Sequence, residues 1–255
     1  MEKCLIIFLC FLLGKSAFGV ELPADIKKCH YGEEACIVDS INHVIKSYTK
    51  GIPEIGLPPL DAIKLKDLAI LNSTYRGPVW FNFYMRDFVN RGFENSTVTH
   101  VKGFDRDPTK RKIEIKAHIP RLVHEATYEF VGRWLLFQAN TTGDLESDFQ
   151  NFSIALTLKV ILEYRNNRRY LKIYELVPLV ELDRWIIRLD NLYNENTDLT
   201  VALTRVFNEN WVEFWNGLEP GILDGLSACF TAILNEVFQN VAYDDMFLPD
   251  HNYEE

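Results

Sequence analysis

The chain has 255 residues, enough for a sizeable core in one or two domains, and 47% apolar with 25% charged residues is the balance of a globular protein. Its 27 Lys and Arg against 36 Asp and Glu give a net charge of −9. That excludes a nucleic-acid binder relying on a broad basic surface and a peripheral protein held by anionic headgroups, since both need an excess of cations.

Lys3 precedes an uninterrupted apolar run from Cys4 to Leu13, and Ala17-Phe18-Gly19 follows it. A weak basic start, a short apolar core and an A-x-G site predict a secretory signal over residues 1–19, cut before Val20. A membrane span needs about 20 apolar residues, roughly twice this run. No later segment suggests a span, so residues 20–255 are expected to form a single soluble, secreted domain. Four N-glycosylation sequons, at Asn72, Asn95, Asn140 and Asn151, agree with secretion, each weakly. Loss of the signal leaves Cys29, Cys36 and Cys229. In an oxidising compartment Cys29 and Cys36 are the natural pair, closing a small loop around Gly32 worth about 2.5 kcal/mol in the chain-entropy account. Cys229 falls in an apolar helical pattern and is expected to be a buried thiol.

Residues 35–48 place Cys36, Ile37, Ile41, Val44, Ile45 and Tyr48 at helical spacing, which predicts an amphipathic helix. Gly51, Pro53, Gly56, Pro58 and Pro59 then form a stiff crossing. From about Ile63 to Asp190 the period becomes two. Val79, Phe81, Phe83 and Met85 alternate with polar or aromatic neighbours, as do Ile113, Ile115, Ala117 and Ile119. The longest row is Ile154, Leu156, Leu158, Val160 and Leu162; Trp185, Ile187 and Leu189 make a last one. This pattern means antiparallel strands with one dry and one wet face, in a sheet long enough that it must curl or close. From Glu219 to Val241 the rows 222/226/229/233/237 and 223/226/230/234/238 are both apolar, a buried arc wider than a surface stripe. Pro220-Gly221 either starts this helix or kinks one that begins near Thr200. The fold class is therefore α+β, a strongly curved antiparallel sheet around one long C-terminal helix. Its inward aromatics either pack solidly or leave a cavity, and periodicity does not choose.

Pro23-Ala24-Asp25-Ile26-Lys27-Lys28-Cys29 followed by Cys36, and the block from Lys50-Gly51-Ile52-Pro53 to Leu57-Pro58-Pro59-Leu60-Asp61, resemble the Takeout / juvenile-hormone-binding family of insect secreted proteins. The resemblance continues through Gly92-Phe93-Glu94-Asn95, Lys102-Gly103-Phe104-Asp105 and Phe207-Asn208-Glu209-Asn210-Trp211 to Val241-Ala242-Tyr243-Asp244-Asp245-Met246-Phe247. Ala62 and Ala242 stand where the family usually has proline, and residues 163–190 match loosely. The resemblance implies a tubular lipid-binding fold with an apolar tunnel and a Cys29–Cys36 disulfide near one tunnel mouth. With only Cys229 left over, it is closest to the single-disulfide Takeout branch. It also implies a role in hormone, feeding, circadian or chemosensory physiology.

No nucleophile elbow, zinc-protease motif or phosphate-binding glycine loop is present, and the six histidines are scattered. His118 and His124 share strand parity, but Pro120 between them and the lack of a third ligand argue against a metal. Neither catalysis nor a cofactor is expected. A monomeric carrier of a small hydrophobic ligand, terpenoid or fatty-acyl, needs only an apolar cavity with a few orienting polar groups. Phe81, Phe83, Trp134, Leu136, Phe230 and Leu234 are the candidate walls, with ordinary core packing as the competing reading of each. The alternative function is a secreted interaction protein with a filled core and a surface partner. The acidic tail Tyr243–Glu255 would serve it, although a solvated end is the commoner explanation.

Overall fold

The computed structural model describes residues 19–65, 67–134, 137–193 and 196–249. Leu136 and the whole of the expected signal except Gly19 lie outside them. The helical period over 35–48 becomes α1 (Glu34–Ser47), with Glu34 in its first turn and Lys46 in its last, each of the favourable sign for the helix dipole. The chain leaves α1 through Gly51 at φ +79°, where an added Cβ would stand 2.4 Å from the Leu57 carbonyl oxygen, so only glycine fits. A Cys29–Cys36 disulfide ties α1 to the segment before it.

Among the described residues eight strands build one antiparallel sheet: β1 (Ile63–Lys64), β2 (Leu68–Asn72), β3 (Val79–Arg91), β4 (Thr97–Lys102), β5 (Ile113–Trp134), β6 (Phe137–Arg165), β7 (Arg168–Glu181) and β8 (Arg184–Leu189). The spine is the β5–β6 hairpin, paired from Ile113↔Leu158 to Trp134↔Phe137. Two shorter strands lie end to end on each side of it, β4 and β3 along β5, β7 and β8 along β6. β1 and β2 extend β3 outward. Ile154, Leu156, Leu158 and Val160 are buried as the alternation requires. The opposite face carries cross-strand ion pairs, among them Arg86–Glu129, Arg91–Glu125, Lys159–Glu175 and Lys172–Glu163. Such exposed pairs are worth about 0.2–1 kcal/mol each, so the dry face holds the sheet. In β3 a bulge between Arg86 and Val89, with Asp87 at φ +50°, shifts the parity. Phe81, Phe83 and Met85 face inward before the bulge, and Phe88 and Asn90 after it.

The sheet stays open, and its edges are closed by helices. α3 (Trp211–Asn240) touches β7 and β8 on one edge and β2 on the other. Toward β2 the approach is so close that a Cβ on Gly221 would stand 2.8 Å from the Ile70 carbonyl oxygen. Toward β7, Asn235 accepts the Ile173 N–H at 2.8 Å and donates to the Ile173 carbonyl at 3.3 Å, while Ser227 donates to the Leu176 carbonyl at 2.6 Å. α2 (Thr197–Glu209), whose N-terminus is capped by the Asn196 side chain, serves β8 the same way. Its Asn208 accepts the Ile187 N–H and donates to the Ile187 carbonyl, both at 2.8 Å. From α1, Asn42 does so for Val98 of β4 at 2.8 and 2.9 Å. Each asparagine offers one donor and one acceptor, as a peptide group does, and so stands in for one residue of a missing strand.

Three sequence expectations need correction. The C-terminal helix starts at Trp211 and runs through Pro220 without a break, and Thr197–Glu209 is a separate helix before it. By length and composition α3 is the one helix among the described residues able to cross a membrane, so the sequence does contain a span-like segment after the expected signal. Here its apolar side chains pack on the sheet and the interior. Nor is the C-terminus a solvated end as far as Pro249. Tyr243 is fully buried and donates to the Asp105 carbonyl at 2.6 Å, and the Leu248 N–H donates to Cys29 at 2.9 Å. Asp244 pairs with Arg169 and Asp245 with Arg168. Hydrogen bonds from Arg169 hold the Asp244 carboxyl below the usual carboxylate range. Ala242 has φ −65°, the value a proline would impose, so the departure from the family pattern leaves this turn unchanged.

Asn208→Ala leaves both Ile187 backbone groups without their partner. It is expected to lower stability by about 1–3 kcal/mol, read as a lower urea midpoint with an unchanged m-value. A cost under a few tenths would mean that water replaces the amide.

Candidate functional site

A cavity of about 810 Å³ lies between the concave face of the sheet and the helices. From β3 it is lined by Phe81, Phe83, Met85 and Phe88. α2 contributes Leu203, Val206 and Phe207, and α3 contributes residues between Glu213 and Cys229. The wall follows from register. Phe81 is opposite Gly132 of β5, and the missing side chain makes room for its ring, since a Cβ there would stand 2.4 Å from the Phe81 Cδ1. Phe83 is opposite Phe130, and Phe81 stacks on Phe130 with ring centroids 5.4 Å apart.

The cavity ends at an aromatic layer. Phe149 of β6 stacks on Trp185 of β8 at 5.7 Å, and Trp215 of α3 meets both edge-on at 6.0 and 5.8 Å. Past this layer Ile113, Leu158 and Leu171 are buried in the core cluster. The expected tunnel is thus a cavity in one half of the molecule. The expectation of a disulfide near its mouth also changes, because Cys29–Cys36 sits in the packed half, where Cys29 bridges to Phe247.

The candidate wall residues divide accordingly. Phe81 and Phe83 line the cavity. Phe230 packs edge-on against Phe93 at 5.8 Å, and Leu234 packs on the core cluster; neither is in the described lining. Trp134 contributes its backbone to the pairing with Val79 and Phe137, and Leu136 lies outside the described residues. The sequon residues Asn72, Asn95, Asn140 and Asn151 are all exposed, Asn151 at φ +51° with its amide on Asp183. Cys29, Glu33 and Cys36 cluster as metal ligands would, but both sulfurs are committed to the disulfide.

Sequence reading missed the wall contributed by α2 and the first half of α3. Gly217, Gly221 and Gly225 recur one helical turn apart, a row of small residues that signals unfilled space or close approach. Gly217 and Gly225 line the cavity, and nothing stands within 4 Å of where a Gly217 side chain would begin. Sequence reading also weighed His124 only as a metal ligand. It occupies an inward position of β5, lines the cavity and is 7% exposed. Its ring lies between Phe88 and Phe149, with centroids 5.0 and 4.8 Å away, and its Nε2 has no hydrogen-bond partner. Burial pushes its pKa down to about 3, so the imidazole is neutral. Cys229 is half-buried on the lining, and burial pushes its thiol up to about 12, which leaves little thiolate at neutral pH.

An open curved sheet sealed by a long helix over an apolar cavity defines the tubular lipid-binding class. The solved structure of Epiphyas postvittana Takeout 1 shares this fold, with a TM-score of 0.71 over 85% of this chain and 97% of that one at 18% identity. The sequence pattern of the haemolymph juvenile hormone binding protein (JHBP) family matches residues 5–248, and the chain belongs to that family. Relatives include the circadian clock-controlled protein daywake of Drosophila yakuba, 27% identical over 228 residues, and of Drosophila melanogaster, 25% identical over the same length. Each alignment covers 88% of both chains.

Two measurements test this geometry. Gly217→Phe should hold or raise the melting temperature, since glycine costs a helix interior about 1 kcal/mol, and should exclude a neutral fluorescent probe. Leu234→Trp should overpack the solid half, lose about 1–3 kcal/mol and leave probe affinity unchanged. The opposite pattern would place the cavity in the other half. The second test is acid sensitivity. Because His124 is held neutral down to about pH 3, the unfolded chain takes up a proton below about pH 6.5 that the folded chain refuses. His124 should therefore contribute a loss of stability of about 1.2 kcal/mol on acidification from pH 6 to 5, and His124→Leu should remove that contribution from the slope. An unchanged slope would show that His124 protonates in the folded protein.

Proposed function

We propose that this protein is a secreted carrier that holds a small hydrophobic ligand in the cavity between β3, β5, β8 and α3. The carrying observation is the cavity itself, about 810 Å³ and walled almost entirely by aliphatic and aromatic side chains. Ligand pockets run from about 300 to 1,000 Å³. Moving apolar surface from water into such a space is worth roughly 25 cal/mol per Å², so a terpenoid or fatty-acyl chain is held with little directed bonding. Membership of a family described as haemolymph juvenile hormone binding proteins supports the same reading. Secretion is supported by the signal-like run Cys4–Leu13, by the Cys29–Cys36 disulfide and by four exposed sequon asparagines. We place the carrier in daily physiology, following the clock-controlled daywake relatives.

The interaction reading has less support. It needs a filled interior and a free acidic tail, whereas Asp244 and Asp245 are paired with Arg169 and Arg168. The deciding experiment is organic extraction of protein purified from native tissue, followed by mass spectrometry. One lipid species near equimolar ratio is the expected result. Repeated ligand-free preparations that also fail to bind apolar probes would overturn the carrier reading.

A further inference from the structure

Across the cavity wall three polar side chains fall in one row. Asn90 of β3 is directly opposite His124 of β5, and His124 is directly opposite Ser147 of β6. Directly opposed residues point to the same face with Cβ atoms about 4.5–5.5 Å apart. The three are 1%, 7% and 5% exposed, beside a lining whose other polar side chains are Gln138, Tyr193 and Glu213. Such depth normally goes with satisfied hydrogen bonds, because an unpartnered buried polar group costs about 1–3 kcal/mol. Here neither the Nδ2 nor the Oδ1 of Asn90 has a partner, and neither does the Nε2 of His124. Ser147 accepts the Trp185 Nε1–H at 2.5 Å, so its own hydroxyl proton is left to point elsewhere. His124 and Ser147 both line the cavity, one layer from the aromatic floor at Phe149 and Trp185.

We propose that His124 and Ser147, with Asn90 behind them in the same row, form the polar subsite of the cavity, and that it selects a long apolar ligand bearing one uncharged hydrogen-bonding group over an ionised fatty acid. This rests on the carrier reading above. The Ser147 hydroxyl donates to a carbonyl or ether oxygen, and the neutral imidazole supplies one further donor or acceptor according to its tautomer. An ionised carboxylate has no counter-charge here: among the described residues the lining holds no Lys or Arg, and its one charged member is Glu213. Burying an unpaired carboxylate beside neutral groups is strongly unfavourable. His124 does not become the missing cation, since burial keeps it neutral across the physiological range. The apolar body of the ligand then runs from this row toward Phe83, Phe81 and the α2–α3 wall.

The test is displacement of N-phenyl-1-naphthylamine, a neutral fluorescent probe, from the delipidated full-length secreted protein at pH 7.5. The competitors are methyl tetradecanoate, tetradecanoic acid and tetradecane, equal in chain length and different only at the end group. The ester is expected to displace the probe at about tenfold lower concentration than either of the others, the worth of one hydrogen bond. Ser147→Ala and His124→Leu should each bring the ester close to tetradecane when both competitors are compared within the same variant. His124→Leu should also melt no lower than wild type, since it removes an unpartnered buried nitrogen. Equal potency of the three competitors, a preference for the acid, or variants that weaken all three alike would overturn the subsite and leave the carrier intact. A wild-type protein that binds no probe would overturn the carrier reading and this inference with it.

Discussion

The architecture depends on how the edges of an open sheet are satisfied. Every peptide group along an edge strand needs a partner, and an unguarded edge invites another chain to pair with it. In this protein Asn42, Asn208 and Asn235 each bond both backbone groups of one edge residue, from three different helices. These amides guard the strands and fix each helix against its edge at one position. Gly221 completes the arrangement on the far side, where backbone meets backbone at Ile70. Because α3 is held at both β7 and β2, the sheet has to curl around the space between.

That space is treated differently along its length. In one half α3 presents Phe230, Leu234 and Phe238 to the core cluster and to β7, with Phe230 edge-on to Phe93. In the other half α3 presents Gly217 and Gly225, and β5 presents Gly132, to the cavity. Small residues on facing elements withhold the volume that close packing would need. The Phe149–Trp185–Trp215 layer separates the two regimes. The packed half, tied down by the disulfide and by Tyr243 and Phe247 of the tail, supplies stability, and the glycine-lined half is free to bind.

Much of this was legible because a strand with one wet and one dry face writes its burial into every second residue. The row from Ile154 to Leu162 in β6 is of that kind, and the wide apolar arc of the last helix likewise pointed to a buried element. Other features leave no such trace. An asparagine on an amphipathic helix reads as surface, so Asn208 and Asn235 gave no hint of their edge partners. The bulge at Asp87 moves Phe88 and Asn90 onto the inner face against the alternation that precedes it. Phe81 and Phe230 have the same periodic signature, yet one faces the cavity and the other packs on Phe93, a difference set by what stands opposite. The true start of α3 was hidden by the aromatic and glycine-bearing stretch after Asn210, which lacks a helical stripe on one face.

The central claim is that one half of the interior is built to be occupied and the other to be solid. A crystal structure of protein purified with its natural ligand tests this most directly. The account predicts elongated density running from beside Phe81 and Phe83 to the His124–Ser147 row, ending at the Phe149–Trp185–Trp215 layer. Density continuing past that layer to Phe230 and Leu234, or side chains collapsed into the space around Gly217, would contradict it.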